Sequence, residues 1–377
     1  MNFLRKQLDK IKPTFEKGGK LSSLGSLFDA METFFFVSNK TSKSGVHIHD
    51  SKDSKRLMII IVIAMIPALL FGIWNVGYQH FISIKEIQPL IPTFTYGFFK
   101  VLPIIITSYA TGLTIEVIFA QIRGHEVREG FFVSGMLIPL IIPVTTPLWM
   151  IALATAFAVI IGVEAFGGTG MNIFNPALTA RAFLFFSYPS HMSGDNVWIA
   201  DKADSFSGAT PLADIATNHS LPSVTDMFFG FIPGSIGETS TFAILIGAVI
   251  LIYTGVASWK IIISTIIGGL FMGGIFNLFA VNSFMEIPAY YHLIMGGFAF
   301  GAVFMATDPV SAAQTSAGKY IYGFLIGIMA ILIRVLNPAY PEGMMLAILL
   351  LNVFAPLIDY YVVQANIKRR LKRTPTK

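Results

Sequence analysis

The run Leu57-Met-Ile-Ile-Ile-Val-Ile-Ala-Met-Ile-Pro67-Ala-Leu-Leu-Phe-Gly-Ile-Trp-Asn-Val-Gly-Tyr-Gln79 holds 23 residues and no charged side chain. About 20 apolar residues in a helix cross the hydrocarbon core of a bilayer. Backbone in lipid must satisfy its own polar groups, so a run of this kind reads as a spanning helix. Similar runs recur near 98–120, 131–146, 148–164, 172–188, 239–256, 260–280, 289–306, 320–335 and 343–363. Ten spans predict an all-α polytopic membrane protein. Composition agrees: of 377 residues, 54% are apolar and 12% charged. A soluble core of this size has no need of such runs.

Charge sets the expected orientation. An even number of spans puts both ends on one side. Residues 1–56 carry eleven Lys/Arg, and the stretch from Lys368 carries six. With Arg123, Arg128, Lys260 and Lys319, 21 of the 26 basic residues fall on that face. The 189–238 loop opposite has one Lys, Lys202, and several acids. The positive-inside rule then makes both termini cytoplasmic and that loop external. The net charge of +5 is read as this orientation signal, with no nucleic-acid partner expected. No cleavable signal peptide is evident, because the first long apolar run begins only at Leu57. The chain has no cysteine, which removes disulfides, thiolate catalysis and cysteine-ligated clusters from it. Its seven His show no metal-ligand spacing, and His47 and His49 stand close to the entry of the first span, so no metal site is expected.

Five segments follow: a basic amphipathic arm (1–56), a first set of five spans (57–188), an external loop (189–238), a second set of five (239–363) and a basic cytoplasmic tail (364–377). In the arm, Phe3, Leu4, Leu8 and Ile11 share one side of a Lys-rich helix, as in an interfacial helix. Leu21, Leu24, Leu27, Phe28, Met31, Phe34 and Phe35 suggest a second one. Plain packing on membrane or partner is the first reading of both, ahead of a ligand role. The two sets of spans look duplicated. Pro139, Pro143 and Pro147 break one span, and Ala306-Thr-Asp-Pro309 through Thr315 break the corresponding one. Asn175-Pro-Ala177 recurs as Asn337-Pro-Ala339. Five spans per half make the halves inverted repeats, and matching broken helices point to a midplane binding site.

Ionisable residues within spans are costly and are functional candidates. Glu116, Arg181, Asp308 and Asp359 are of this kind. Arg181 pairing an acid, and Asp359 snorkelling at the interface, are the structural alternatives. Thr307, Asp308 and Ser311 offer hard oxygen ligands of the sort that suit Na⁺. Asn172 and Asn175 follow Phe166-Gly-Gly-Thr-Gly170, whose glycines allow close approach of a planar ligand. Phe157, Phe183, Phe185 and Phe186 gather near the same spans as a quinone slot or as lipid-facing packing. Ser207-Gly208-Ala209-Thr210 precedes Pro211 in the external loop. By itself it reads as a turn, or as an uncovered Thr able to carry a covalent group.

Longer strings carry a resemblance: His125-Glu-Val-Arg-Glu-Gly-Phe-Phe-Val133, Arg181-Ala-Phe-Leu-Phe-Phe186, Ile232-Pro-Gly-Ser-Ile-Gly-Glu238, Gly296-Gly-Phe-Ala-Phe-Gly301, Met305-Ala-Thr-Asp-Pro-Val-Ser-Ala312 and Arg334-Val-Leu-Asn-Pro-Ala-Tyr-Pro-Glu-Gly-Met-Met345. Over nearly its whole length the chain resembles the NqrB/RnfD family, and within it the NqrB membrane subunit of Na⁺-translocating NADH:quinone reductases. The resemblance implies FMN bound covalently to Thr210 by a phosphoester, attached by a flavin transferase, with Ser207, Gly208 and Ala209 completing the motif. It implies noncovalent riboflavin near Asn172 and Asn175, and a Na⁺ pathway using Glu116, Asp308 and Asp359. It associates quinone (ubiquinone among them) with Gly112, Phe157, Phe183 and Phe185. The family often has Gly where this chain has Thr111. Implied too are a six-subunit complex in the bacterial inner membrane and an enzyme whose NADH oxidation occurs on a partner. The alternatives are the RnfD subunit of a ferredoxin:NAD⁺ reductase and a passive solute channel on the same inverted repeat.

Overall fold

The computed structural model describes residues 2–15, 25–36, 44–46, 54–124, 130–203, 206–218, 222–337 and 342–373. Two arm helices, α1 (Asn2–Ile11) and α2 (Gly25–Phe35), come first. They are tied where Lys12 Nζ donates to Glu32 at 2.8 Å. Leu21, Leu24, His47 and His49 lie outside the described residues.

The bundle begins with α3 (Ser54–Ser83), α4 (Leu90–Arg123), α5 (Gly130–Ile141), α6 (Leu148–Gly162) and α7 (Pro176–Ser187). The short helices α8 (Pro189–Met192), α9 (Pro211–Asn218) and α10 (Val224–Phe229) follow in the long connection. Then come α11 (Thr241–Tyr253), α12 (Trp259–Leu278), α13 (Ser283–Glu286), α14 (Tyr291–Ile294), α15 (Phe298–Phe300), α16 (Ser316–Leu336) and α17 (Met344–Leu371).

Among the described residues six helices are long and apolar enough to cross a membrane: α3, α4, α6 with its short extension, α12, α16 and α17. The chain is a multi-pass helical membrane protein. The other four expected spans differ from unbroken helices. α5 and α11 are apolar but short. The span expected at 172–188 is helical only from Pro176, and that at 289–306 is split into α14, α15 and a π-turn over Gly301–Met305. Proline and glycine account for the breaks, because Pro removes a donor and the π-turn leaves the chain unwound from Ala306 to Thr315.

Broken helices leave carbonyls that lipid cannot satisfy. At the end of α5, Gly237 N–H donates to Leu140 O at 2.7 Å and Ser235 Oγ to Ile141 O at 3.4 Å. At α14, Arg334 donates to His292 O at 2.7 Å and Met295 O at 3.0 Å. The bonds from Gly237 and Ser235 draw the 232–238 segment into the bundle. Small residues let helices close up. A Cβ on Gly97 would stand 1.8 Å from Ile73 O, so α3 and α4 touch backbone to backbone.

The two halves pack alike. In each, the second helix lies on the fourth (α4 on α6, α12 on α16) and the fourth on the fifth (α6 on α7, α16 on α17). Across the halves α3 packs on α11 and α7 touches α17.

Candidate functional site

The buried stripe of α4 runs Ser108, Gly112, Glu116, one residue per helical turn. Ser108 Oγ donates to Gly135 O at 3.0 Å. Gly112 lies under the ring of Phe131, which a Cβ there would strike at 1.8 Å. Glu116, 3% exposed, reaches a cavity of about 710 Å³ at the end of the bundle nearest the arm. Asn172, Asn175, Thr307 and Asp308 line the same cavity. Residues far apart in sequence thus meet between α4, α5, the segment before α7 and the unwound 306–315 strand.

Each polar group there has local partners. Ser311 Oγ donates to Asp308 Oδ2 at 2.7 Å, and Val310 N–H to Oδ1 at 3.3 Å. Thr307 Oγ1 donates to Val303 O at 2.6 Å and keeps lone pairs to accept. Asn175 caps α7, its Oδ1 accepting from Ala177 and Leu178 N–H at 3.0 and 3.3 Å, with Pro176 at the first helical position. Asn172 Oδ1 accepts from Gly170 N–H, and its Nδ2 donates to Phe174 O. Gly167, Gly168 and Gly170 all have positive φ, as the tight loop before α7 requires.

Asp359 lies elsewhere. It accepts from the Gln314 and Thr315 N–H groups at 2.6 and 3.0 Å and from Thr315 Oγ1, tying α17 to the start of α16. Its carboxylate is half-buried against that turn. The residues associated with quinone are spread out. Phe157 and Phe183 stack at 4.6 Å between α6 and α7, and Phe185 meets Phe186 edge-on. Neither these rings nor Gly112 line the cavity of Glu116.

The other end of the bundle carries Thr210, half-buried at the start of α9. Its Oγ1 accepts from Ala213 N–H at 3.4 Å and so caps that helix. Ser207 Oγ donates to Asp195 at 3.0 Å, and a Cβ on Gly208 would come 2.6 Å from Asp195 O. The motif is therefore held against the 195–197 turn. Thr210 opens on a pocket of about 320 Å³ shared with Ser235, Glu238, Gly296 and Glu342. Arg181 does pair with acids: its Nη1 is 2.7 Å from Glu238, and Nη2 bonds Glu342. Burial pushes the Glu238 carboxyl up, and the Arg181 charge opposes that push.

The family described as NQR2, RnfD, RnfE matches residues 41–368 of this sequence. The chain belongs to that family. Similar proteins include a Na(+)-translocating NADH-quinone reductase subunit of Chromohalobacter salexigens, 47% identical over 98% of this chain and 96% of that one. Proteins of the same name from Ectopseudomonas mendocina and Yersinia pestis are each 47% identical, over 98% of this chain and 99% of theirs.

In this member of the NQR2, RnfD, RnfE family, Phe131 above Gly112 and the two acids gripping Arg181 carry little mark in the sequence. Glu238 and Glu342 stand in loops, where a charge draws no notice. Their only signal was the buried Arg181, which needs an acid somewhere.

Proposed function

We propose that this chain is the NqrB-type membrane subunit of a Na⁺-translocating NADH:quinone reductase, taking part in electron transfer to quinone coupled to Na⁺ export. One observation carries the reading: Thr210, in its Ser207–Thr210 motif, begins a helix and faces a pocket, in a chain whose relatives over their full length are named as subunits of that reductase. The position suits a phosphoester of FMN, because a helix N-terminus favours an anion. We assign riboflavin to the arm-side cavity beside Asn172 and Asn175, where apolar walls meet a few polar groups. Bound flavins would supply the electron-transfer chemistry.

The chain's own residues do the rest. Glu116 and Asp308 hold Na⁺ in the arm-side cavity, where carboxylate, hydroxyl and unwound carbonyl oxygens gather. Asp359 fixes the end of that unwound strand. Gly112, Phe157, Phe183 and Phe185 flank the quinone. We further propose two inverted five-helix repeats, with termini and arm in the cytoplasm and the 189–238 loop outside the bacterial inner membrane. The other subunits of a six-subunit complex are the partners, one of which oxidises NADH, and a flavin transferase matures Thr210. Moving one charge against 100 mV costs about 2.3 kcal/mol, within the reach of ordinary redox energy.

The test is to co-express the complex with a flavin transferase, denature it and illuminate the gel. A fluorescent band for this chain that vanishes in Thr210→Val is expected, and no band in the unmodified chain overturns the flavin assignment. Quinone-dependent, Na⁺-stimulated NADH oxidation by the complex is expected, whereas dependence on ferredoxin would favour the Rnf-type reading.

A further inference from the structure

Residues 195–202 fold into a closed turn beside the Ser207–Thr210 motif. Lys202 Nζ reaches back to Asp195 O at 3.3 Å and to Asn196 Oδ1 at 2.6 Å, which shuts the turn. Val197, Trp198, Ile199 and Ala200 within it are buried. The ends of two long helices hold it in place. His80 of α3 donates from Nδ1 to Ala200 O at 3.0 Å, and its ring stacks on Tyr96 of α4 at 4.0 Å. The Tyr96 hydroxyl and Lys100 Nζ reach the Asp201 carboxylate at 2.8 and 2.6 Å. Asp201 stands at a φ of 46°, a left-handed backbone that a residue other than glycine keeps where its surroundings fix it. From the bundle side, Thr145 Oγ1 donates to Val197 O at 2.9 Å.

The motif is strung on this turn by a relay. Ser207 Oγ donates to Asp195 Oδ1 at 3.0 Å and accepts from Ala209 N–H at 3.4 Å. Gly208 between them is buried, and an added Cβ would stand 2.6 Å from Asp195 O and 3.2 Å from Ile199 Cδ1. A side chain bonded to nearby backbone in this way sets a local turn. Asp195 thus fixes the backbone one residue ahead of Thr210, and Pro211 restrains Thr210 from the other side. Attachment of FMN needs a hydroxyl so placed. The Thr210 oxygen forms an ester bond to the flavin-side phosphorus of a flavin dinucleotide. The bond to the adenylate phosphate breaks, AMP leaves, and the hydroxyl proton passes to the transferase. The Thr210 bond from Ala213 N–H uses the oxygen as acceptor and leaves that proton to be given up.

We propose that Asp195 is a positioning residue for the modification of Thr210, holding Ser207 so that the 195–202 turn presents the Thr210 hydroxyl to the flavin transferase in one geometry. The proposal rests on the reading of Thr210 as the attachment residue. It extends the substrate of the transferase from a string of four residues to that string together with the turn beneath it.

The experiment induces the transferase in cells already holding the assembled complex and follows the fluorescent band of this chain, per amount of chain, against time. Asp195→Ala is expected to label about tenfold more slowly, the order of loss that follows when a reacting group is no longer held in place. The amount of assembled chain and its thermal unfolding should stay as they were, because the Asp195 side chain is 47% exposed. Asp195→Asn keeps the Oδ1 acceptor for Ser207 and should label at close to the unmodified rate. Ser207→Ala with Asp195→Ala should be no slower than the slower single variant, since both break one relay. Asp195→Ala labelled as fast as the unmodified chain means that the transferase reads the four residues as a bare string, and overturns the proposal. So does a slowing that Asp195→Asn shares in full, or one matched by loss of assembled chain. Should Asp195→Ala fail to assemble, Lys202→Met unlatches the same turn from its other end, and an unchanged rate there overturns the proposal instead. Failure of the underlying reading looks different: the unmodified chain would show no fluorescent band at all.

Discussion

At the arm side, Asp308 is held by the Ser311 hydroxyl and the Val310 amide, on the wall of a cavity of about 710 Å³ that Glu116 shares. At the loop side, Glu238 and Glu342 grip one guanidinium between cavities of about 240 and 320 Å³. Both ends bury carboxylates among helix breaks. The first leaves hard oxygens around open space, which suits an ion that arrives and leaves. The second neutralises its acids with a fixed cation, which suits a permanent joint. The partner of each acid, more than its depth, separates the proposed ion site from the structural joint.

The contrast can be broken most forcefully at Arg181. Arg181→Met leaves two buried acids without their cation and should cost about 3–5 kcal/mol. Thermal unfolding of the purified complex checks this, and an unchanged midpoint would mean that the cluster is not a joint. Glu116→Ala and Asp308→Ala should instead lower apparent Na⁺ affinity about tenfold, in the range typical of lost groups around a bound metal, with little change in thermal stability. Undiminished Na⁺ stimulation would dismiss the transport role.

Asn175 sharpens the line between cap and ligand. Asn175→Ala should lose about 1 kcal/mol with the cap of α7, and Asn175→Ser should restore it. If the amide also holds riboflavin, both variants lose noncovalent flavin, as extraction and fluorescence would reveal. The smallest effect lies at Asp201, exposed beside the motif loop. The Lys100 ammonium at 2.6 Å, helped by the Tyr96 hydroxyl at 2.8 Å, holds its carboxyl below the usual range. That contribution is present above the ordinary carboxylate pKa and fades as pH falls through the lowered one. Exposure limits it to about 0.2–1 kcal/mol, and salt should shrink it further. Asp201→Asn, compared with the unmodified chain by unfolding at low and high salt, measures it.

Much of the bundle was legible because lipid imposes long apolar runs: six of the ten expected spans are long helices. The four shorter or broken ones were blurred because a run of apolar residues does not reveal where the backbone stops being helical. Pro139 and the Thr307-Asp-Pro309 stretch did mark the breaks themselves. At the site, Glu116, Asp308, Asn172 and Asn175 stood out from the sequence by polarity within spans and by family resemblance, and they line one cavity. Glu342 did not stand out, because a Pro-Glu-Gly loop looks like any solvated turn.

The sequence by itself determined that this chain crosses a membrane many times, that helices break at Pro139 and at Thr307-Asp-Pro309, and which family it resembles. Those properties follow from the local balance between apolar side chains and backbone hydrogen bonding. Only the tertiary structure decided that Asp308 shares a cavity with Glu116, that Asp359 ties two helices, and that Arg181 stands between Glu238 and Glu342. Those pairings depend on the close packing of distant helices, as of α11 on α3 at Gly247, where an added Cβ would stand 2.4 Å from Ala64 O. Crossing geometry arises from packing between segments, and no single segment encodes it.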